Sequence, residues 1–286
     1  MAGDGPEFAS WRPHPALRPF VDGYLGYHQS DVTLAVHRGL PSRHITLIIS
    51  LDAPIRIVAG PGAEAGPLRL QTVVGGLHLA PALIAQASHQ RGMHLSLNPL
   101  GARALLGVSA SELAATVVGL ADLPGGWGPE LTERLVEAPG WRQRFMLVDA
   151  ALLAALRPAT VRTELSWAWR RMIRQSGTGR IAELAGEVGW SRRHFGDRFA
   201  REVGVSPKQA ARLLRFEHSG QLLRGGGYRN LAEVAARCGF YDQAHMTGEW
   251  RVLAGCGPGT WIREELPFLQ DEGTDGVADS RYDKTT

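Results

Sequence analysis

Cysteine is nearly absent from this chain. Cys238 and Cys256 are the only two in 286 residues, too few for a disulfide framework or a cysteine-based zinc site. Lysine is equally scarce: only Lys208 and Lys284 occur, so 29 of the 31 basic residues are arginine. Arginine suits bidentate contacts to phosphate and guanine, although a GC-rich genome gives the same bias. Long hydrophobic runs are missing too. The longest apolar stretch, "FMLVDAALLAAL" (145–156), contains Asp149 and is too short to span a bilayer. The opening "MAGDGPEFASW" has no basic segment followed by an apolar one, so no secretory signal is expected and the chain is assigned to the cytoplasm, with no membrane partner. Net charge is only +3, with a pI near 9.1, a weak hint of an anionic partner.

Catalytic signatures are missing as well. The chain has no G-x-S-x-G, Walker or HExxH motif, each of which places reactive groups by its spacing. "GPGAEA" (60–65) fits a dinucleotide glycine pattern, but "GPLRLQ" follows it where a helix is required. Seven histidines precede residue 100, the nearest approach to a pair being His89 and His94 in "HQRGMH". No His-x-His with a following Glu accompanies them, so structural or solvent-facing roles are expected. No catalytic residue, cofactor or metal ligand is therefore assigned. A metal-dependent enzyme in the N-terminal half is kept only as an alternative.

What is present divides in two. Hydrophobic residues make up 44% of the chain, enough for packed cores, and the length suits two domains. Short β-rich runs fill the first third: "HITLIISL" (44–51), "IRIVA" (55–59), "LQTVV" (70–74) and "MHLSLN" (93–98), separated by Gly and Pro clusters. That pattern predicts an antiparallel barrel or sandwich. "PLGARALLG" reads as a short helix bounded by Pro and Gly, and 140–156 as a longer one. "RPAT" (157–160) marks a boundary, and everything from Val161 to about Leu266 reads helical. The fold class is α+β: a strand-rich, barrel-like domain with trailing helices at 1–157, an all-α domain at 158–266, and a polar, disordered tail at 267–286.

The helical region repeats itself. Ile181-Ala-Glu-Leu-Ala185 lies over Leu231-Ala-Glu-Val-Ala235 at an offset of 50, and Gly189 and Trp190 match Gly239 and Phe240. One extra residue then shifts the offset to 51, pairing His194 with His245, Phe195 with Met246 and Phe199 with Trp250. Such a period marks a duplicated supersecondary unit. In each copy a short helix ends on Gly, which supplies the left-handed residue of a sharp exit. A capping residue, Ser191 or Asp242, then starts a second helix. Asn230 and Glu233 give a capping-box-like start to the second copy. Helix, Gly turn, helix is the helix-turn-helix layout.

Between the copies, "SPKQAARLLRFEHSGQLLR" (206–224) predicts a capped helix, with Ser206 and Gln209 as a capping box and Pro207 at its first position. At ~1.5 Å per residue it forms a rod of about 28 Å, close to the ~34 Å between successive major grooves on one face of B-DNA. Two copies so spaced lengthen the site that one chain can read.

Residues 161–265 resemble the DNA-binding domain of AraC/XylS-type transcription regulators. The resemblance rests on "IAELAGEVGWSRRHFGDRFAREVGVSPKQAARLLRFEHSGQLL" and "LAEVAARCGFYDQAHMTGEWRVLAGCGPGTW", the latter with a GF-x-DQ-x-H run and a closing Gly-Pro-x-x-Trp. It implies binding of double-stranded promoter DNA through both recognition helices. It also implies an N-terminal domain that senses an unknown small-molecule effector or dimerises, with RNA polymerase as a candidate partner. A DNA-binding regulator or architectural protein without a ligand is the other alternative, though a purely architectural binder has no need of a strand-rich domain.

In the first recognition helix Phe195, Phe199 and Val203 are expected inside. Arg192, Arg193, Gly196, Asp197 and Ala200 face outward. The resemblance places base contacts at Arg193, Gly196 and Asp197. Arg193 can read guanine, Asp197 could only accept from a cytosine amine, and Gly196 has no side chain to read with. Arg198 and Arg201 either touch phosphate or solvate the helix. In the second, Gln243, Ala244, Thr247 and Gly248 match the family's base-facing positions and Arg251 is placed on phosphate. Gln243 can read adenine, and Ala244 or Thr247 a thymine methyl. His194 and His245 are read as structural or phosphate-touching, Arg212 and Arg215 as a solvated face, and Cys238 as a buried thiol. Trp11, Phe20, Tyr24 and Tyr27 are assigned mostly to core. Trp141, Phe145, Val148, Leu152 and Leu156 form a helical stripe that must be buried, against the chain's own barrel or against a twin helix in a homodimer.

Overall fold

The computed structural model describes residues 7–265 except residues 31, 128 and 160. The expected tail at 267–286 lies outside the described residues. Among the described residues the N-terminal half forms the strands β1 (Glu7–Trp11), β2 (Val21–Gln29), β3 (Val36–Gly39), β4 (Ile45–Ser50), β5 (Ile55–Ala59), β6 (Leu68–Leu70), β7 (Thr72–Gly75), β8 (Ala82–Ala85), β9 (Gln90–Leu97) and β10 (Val117–Gly119). They make two antiparallel sheets, one ordered β1-β2-β9-β4-β7-β10 and one ordered β3-β8-β5-β6. The barrel-like expectation thus takes the form of two sheets that do not close into one.

Alternation along the strands explains the layering, since successive side chains point to opposite faces. On β4, Ile45, Leu47 and Ile49 join Met93, Leu95 and Leu97 of β9 in the main core, while Ile48 faces a second, smaller cluster around Ile57 and Val73. The larger sheet is therefore covered on both faces: by the smaller sheet on one, by helices on the other. Those helices are α1 (Ala102–Leu106), α2 (Pro129–Glu137) and α3 (Trp141–Ala155). Gly107 ends α1 in the left-handed conformation that the "LLG" of the sequence anticipates.

The stripe on α3 goes to the chain's own domain. Phe145, Val148 and Leu152 are fully buried, and Phe145 stacks on Trp11 at 5.7 Å and on Tyr24 at 6.1 Å between ring centroids. Asp149, which interrupts the apolar run, is a hub. Its carboxylate accepts from Tyr24 Oη at 2.9 Å, from the His14 amide at 3.0 Å and from Trp11 Nε1 at 3.4 Å, tying three segments to one helix. What α3 leaves for any second copy is the outer face, where Met146 is half exposed.

The described residues then form α4 (Thr163–Arg174), α5 (Ile181–Glu187), α6 (Arg192–Val203), α7 (Pro207–Gly225), α8 (Leu231–Arg237), α9 (Gln243–Ala254) and α10 (Pro258–Glu264). The two halves share one continuous core and a polar seam. Arg43 donates to Glu217 on α7 through its amide at 2.8 Å and its guanidinium at 3.3 Å. Beyond α10, the fully buried Glu265 receives the Arg38 guanidinium at 2.9 Å and lies 2.8 Å from His37 Nδ1. These partners hold its carboxyl below the usual carboxylate range, against the opposing effect of burial. Near α6, Arg103 approaches Glu202 at 3.8 Å. There Gly204, at φ +92°, lies so close to the Ala110 carbonyl that a Cβ would come within 2.7 Å of its oxygen. No described helix is long and apolar enough to cross a membrane.

Candidate nucleic-acid interface

Each half of the repeat folds as the caps and glycines dictate. α5 ends at Gly189, φ +70°, and α8 at Gly239, φ +72°, a conformation that costs glycine nothing. Ser191 accepts from the His194 amide at the start of α6, and Asp242 from the His245 amide at the start of α9. Ser206 and Gln209 form the full capping box on α7. Asn230 caps α8, but Glu233 reaches one residue further back than a box requires, accepting from the Arg229 amide at 3.0 Å.

The turn between helices is built the same way twice. The Trp190 amide donates to the Ala185 carbonyl and the Phe240 amide to the Ala235 carbonyl, at 2.9 and 3.0 Å. His194 stands edge-on to Trp190 at 4.8 Å, and His245 edge-on to Phe240 at 5.6 Å. These contacts give both histidines structural work at the starts of α6 and α9. Inside, Phe195, Phe199 and Val203 of α6 and Met246, Trp250 and Leu253 of α9 are fully buried. Phe199 meets Trp169 of α4 at 5.9 Å. Trp250 lies between Phe216 at 4.7 Å and Trp261 at 5.2 Å, and its Nε1 donates to Ser219 Oγ at 2.9 Å.

That packing sets which residues remain outside. On α6, Arg192, Arg193 and Asp197 are exposed and Gly196 is half covered; on α9, Gln243, Ala244, Gly248 and Arg251 are exposed and Thr247 is half covered. All of them lie on the outward side of their helices, away from the aromatic anchors. Arg201 is exposed beside them, Arg198 half covered.

Two arginines depart from the sequence expectation. Arg212 and Arg215 on α7 are not a solvated face. Arg212 Nε donates to Glu249 of α9 at 2.8 Å. Arg215 donates to the Gly177 carbonyl at 2.9 Å and lies over the Phe240 ring at 5.9 Å. Burial draws its pKa below the ordinary arginine value. The linker helix thus grips the second unit by polar as well as apolar contacts, and the partner of Arg212, 37 residues away in sequence, left no local signal. Cys238 is fully buried, and burial pushes its thiol pKa up to about 11, as suits a small core side chain.

Gly196 and Gly248 pose a physical question. Neither sits at positive φ, and a Cβ at either would meet nothing within 4 Å. A glycine inside an exposed helix costs about 0.5–1 kcal/mol relative to alanine, with no return inside this chain. Close approach of backbone to a groove is a use that such a bare position serves. Gly248→Ala is therefore expected to raise stability by about 0.5–1 kcal/mol while weakening duplex binding. Urea unfolding and a duplex-binding titration on the same variant check both halves, and unchanged affinity would exclude that use of the glycine.

Residues 184–264 match the family model of a helix-turn-helix domain. No curated protein matches the chain. Among solved structures, ToxT from Vibrio cholerae aligns at a TM-score of 0.52 with 10% identity, covering 84% of this chain and 97% of that one. An apo form of a ToxT variant from Vibrio cholerae strain SCE256 aligns at 0.53 with 10% identity and the same coverage. At that identity the likeness is one of fold, and it extends over both halves of the chain.

Proposed function

We propose that this chain, whose C-terminal part is an AraC-type helix-turn-helix domain, is a DNA-binding transcription regulator rather than an enzyme. The observation that carries this is the pair of like-built units on one rigid linker helix, each leaving a polar face outward: Arg192 and Arg193 on α6, Gln243 and Arg251 on α9. In this reading the domain beginning near residue 158 holds the duplex. Arg193 reads guanine and Gln243 reads adenine. Asp197 limits its surroundings to bases that offer an amine, and Arg251 takes a phosphate.

The preceding domain, residues 1–157, is proposed to regulate. A cavity of about 340 Å³ lies where its smaller sheet meets the end of α9, lined by Val36, Arg38, Leu83 and Pro81 on one side and by Ala254 and Gly255 on the other. A small molecule held there would touch both halves at once, and could bias their arrangement only through a difference in affinity between arrangements.

The test is duplex binding across a salt series. Affinity for a promoter fragment is expected to fall steeply, with a log–log slope set by the number of phosphates neutralised. A slope near zero would end the regulator reading. Gln243→Ala is expected to relax the base preference at one position, by about 1–3 kcal/mol of discrimination. A selection from random duplexes that returned the wild-type motif for this variant would remove Gln243 from the readout.

A further inference from the structure

The two units differ by one inserted residue, and the structure identifies it. Trp190 and Phe240 are equivalent by backbone hydrogen bond and by their edge-on histidines. Ser191 and Asp242 are equivalent as caps. Ser191 directly follows Trp190, whereas Tyr241 stands between Phe240 and Asp242. Tyr241 is the extra residue.

Its side chain makes no use of the protein. Tyr241 is 92% exposed, the most exposed large apolar residue among those described, although both its neighbours are fixed. Phe240 is buried beneath the Arg215 guanidinium. Asp242 is locked as a cap by the His245 amide at 2.7 Å. The Tyr241 amide itself donates to His245 Nδ1 at 3.2 Å, which holds the inserted residue's backbone to the first turn of α9. The result is an exposed ring carried on a fixed backbone at the turn, ahead of Gln243. Scattered exposed aromatics are ordinary. This one stands at the end of the helix that would enter the groove.

We infer that Tyr241 is a phosphate-positioning residue of the second unit, its hydroxyl donating to a backbone phosphate at the lip of the groove that α9 enters. The inference rests on the regulator reading above and deepens it. Several features favour phosphate over base. The side chain precedes the helix rather than lying on its base-facing side. The single hydroxyl cannot make the bidentate contacts that discriminate bases. Tyrosine hydroxyls are among the groups that take backbone oxygens, contacts that fix register without carrying sequence. The first unit has no counterpart, so the second is expected to be the more firmly seated of the two.

The experiment uses the full chain and a duplex recovered by selection with the wild-type protein. Affinities of wild type, Tyr241→Phe and Tyr241→Ala are measured on that duplex and on an unrelated one across a salt series. Because the ring packs on nothing, all three proteins should melt alike. Removing a hydrogen bond to a charged group is expected to weaken Tyr241→Phe about tenfold, equally on both duplexes. Tyrosine carries no charge to displace a counterion, so the salt slope should stay the same. A scan of neutral methylphosphonates along the duplex should find one phosphate whose replacement weakens wild type but leaves Tyr241→Phe unchanged. Wild-type affinity in Tyr241→Phe on both duplexes would overturn the inference while leaving the regulator intact. So would a changed selected motif, which would make Tyr241 a base reader. Failure of the wild type to bind any duplex would overturn the regulator reading and this inference with it.

Discussion

Replacing Trp250 by alanine is expected to cost about 3–5 kcal/mol, the range for removing a large aromatic from a filled core. The indole is fully buried, shares ring contacts with Phe216 and Trp261, and hydrogen-bonds Ser219 Oγ. It joins α9 to both α7 and α10. Against a typical stability of about 5–15 kcal/mol, such a loss should leave the second unit poorly formed, with duplex binding lost beyond what the stability change alone requires. Trp250→Phe keeps part of the ring and should recover much of the loss. Urea unfolding of the full chain followed by tryptophan fluorescence measures both, and a cost below about 1 kcal/mol would mean that the site collapses around the missing ring.

The second large effect is expected at the seam between the halves. Arg38→Ala leaves the Glu265 carboxylate buried with His37 as its remaining side-chain partner. Breaking a buried pair by removing one side costs about 3–5 kcal/mol; because Arg38 is a quarter exposed, the low end, about 3 kcal/mol, is expected. Glu265→Gln removes the charge that needs compensation, so Arg38→Ala should cost far less in that background. Equal costs in both backgrounds would show that the pair is uncoupled. The sign with pH follows from the lowered pKa of Glu265. A carboxyl depressed on folding contributes stability that is present above its unfolded value of 4.5 and lost as pH falls through the folded one. The wild type should therefore lose more stability below about pH 4.5 than Glu265→Gln does.

The helix-turn-helix units were legible because their determinants are local. Caps, glycine exits and buried aromatics fall within a few residues of one another, and the duplication displays each of them twice. The strands at 45–50, 55–59 and 90–97 were legible from β-rich runs for the same reason. Sheet order was not. β9 lies between β2 and β4, a placement in which Val21 pairs with Leu97 and Ile45 with the same residue, and nothing in any of these strands names its partner. Nor did α2 or β10 stand out. The role of Asp149 was hidden because its three donors come from residues more than 120 positions earlier. The seam was hidden likewise: nothing near Glu217 or Glu265 in sequence points to Arg43 or Arg38, more than 170 positions earlier. Of the candidate interface, sequence identified the outward-facing helical positions. The shift of the repeat from 50 to 51 located an extra residue there, but not that Tyr241 stands exposed.

Under the proposed function the linker helix has one further consequence, for the genome rather than the protein. α7 is continuous over 19 residues, capped at its start, and tied to the second unit by the Arg212–Glu249 pair and by Arg215 over the Phe240 ring. The two units are joined by unbroken helix, with no hinge between Pro207 and Gly225. Each base pair inserted between their two subsites turns the second by about 35° out of phase with the first, and no hinge in the helix can follow it. Target promoters should therefore drift freely in the letters between the subsites while keeping the count of letters constant.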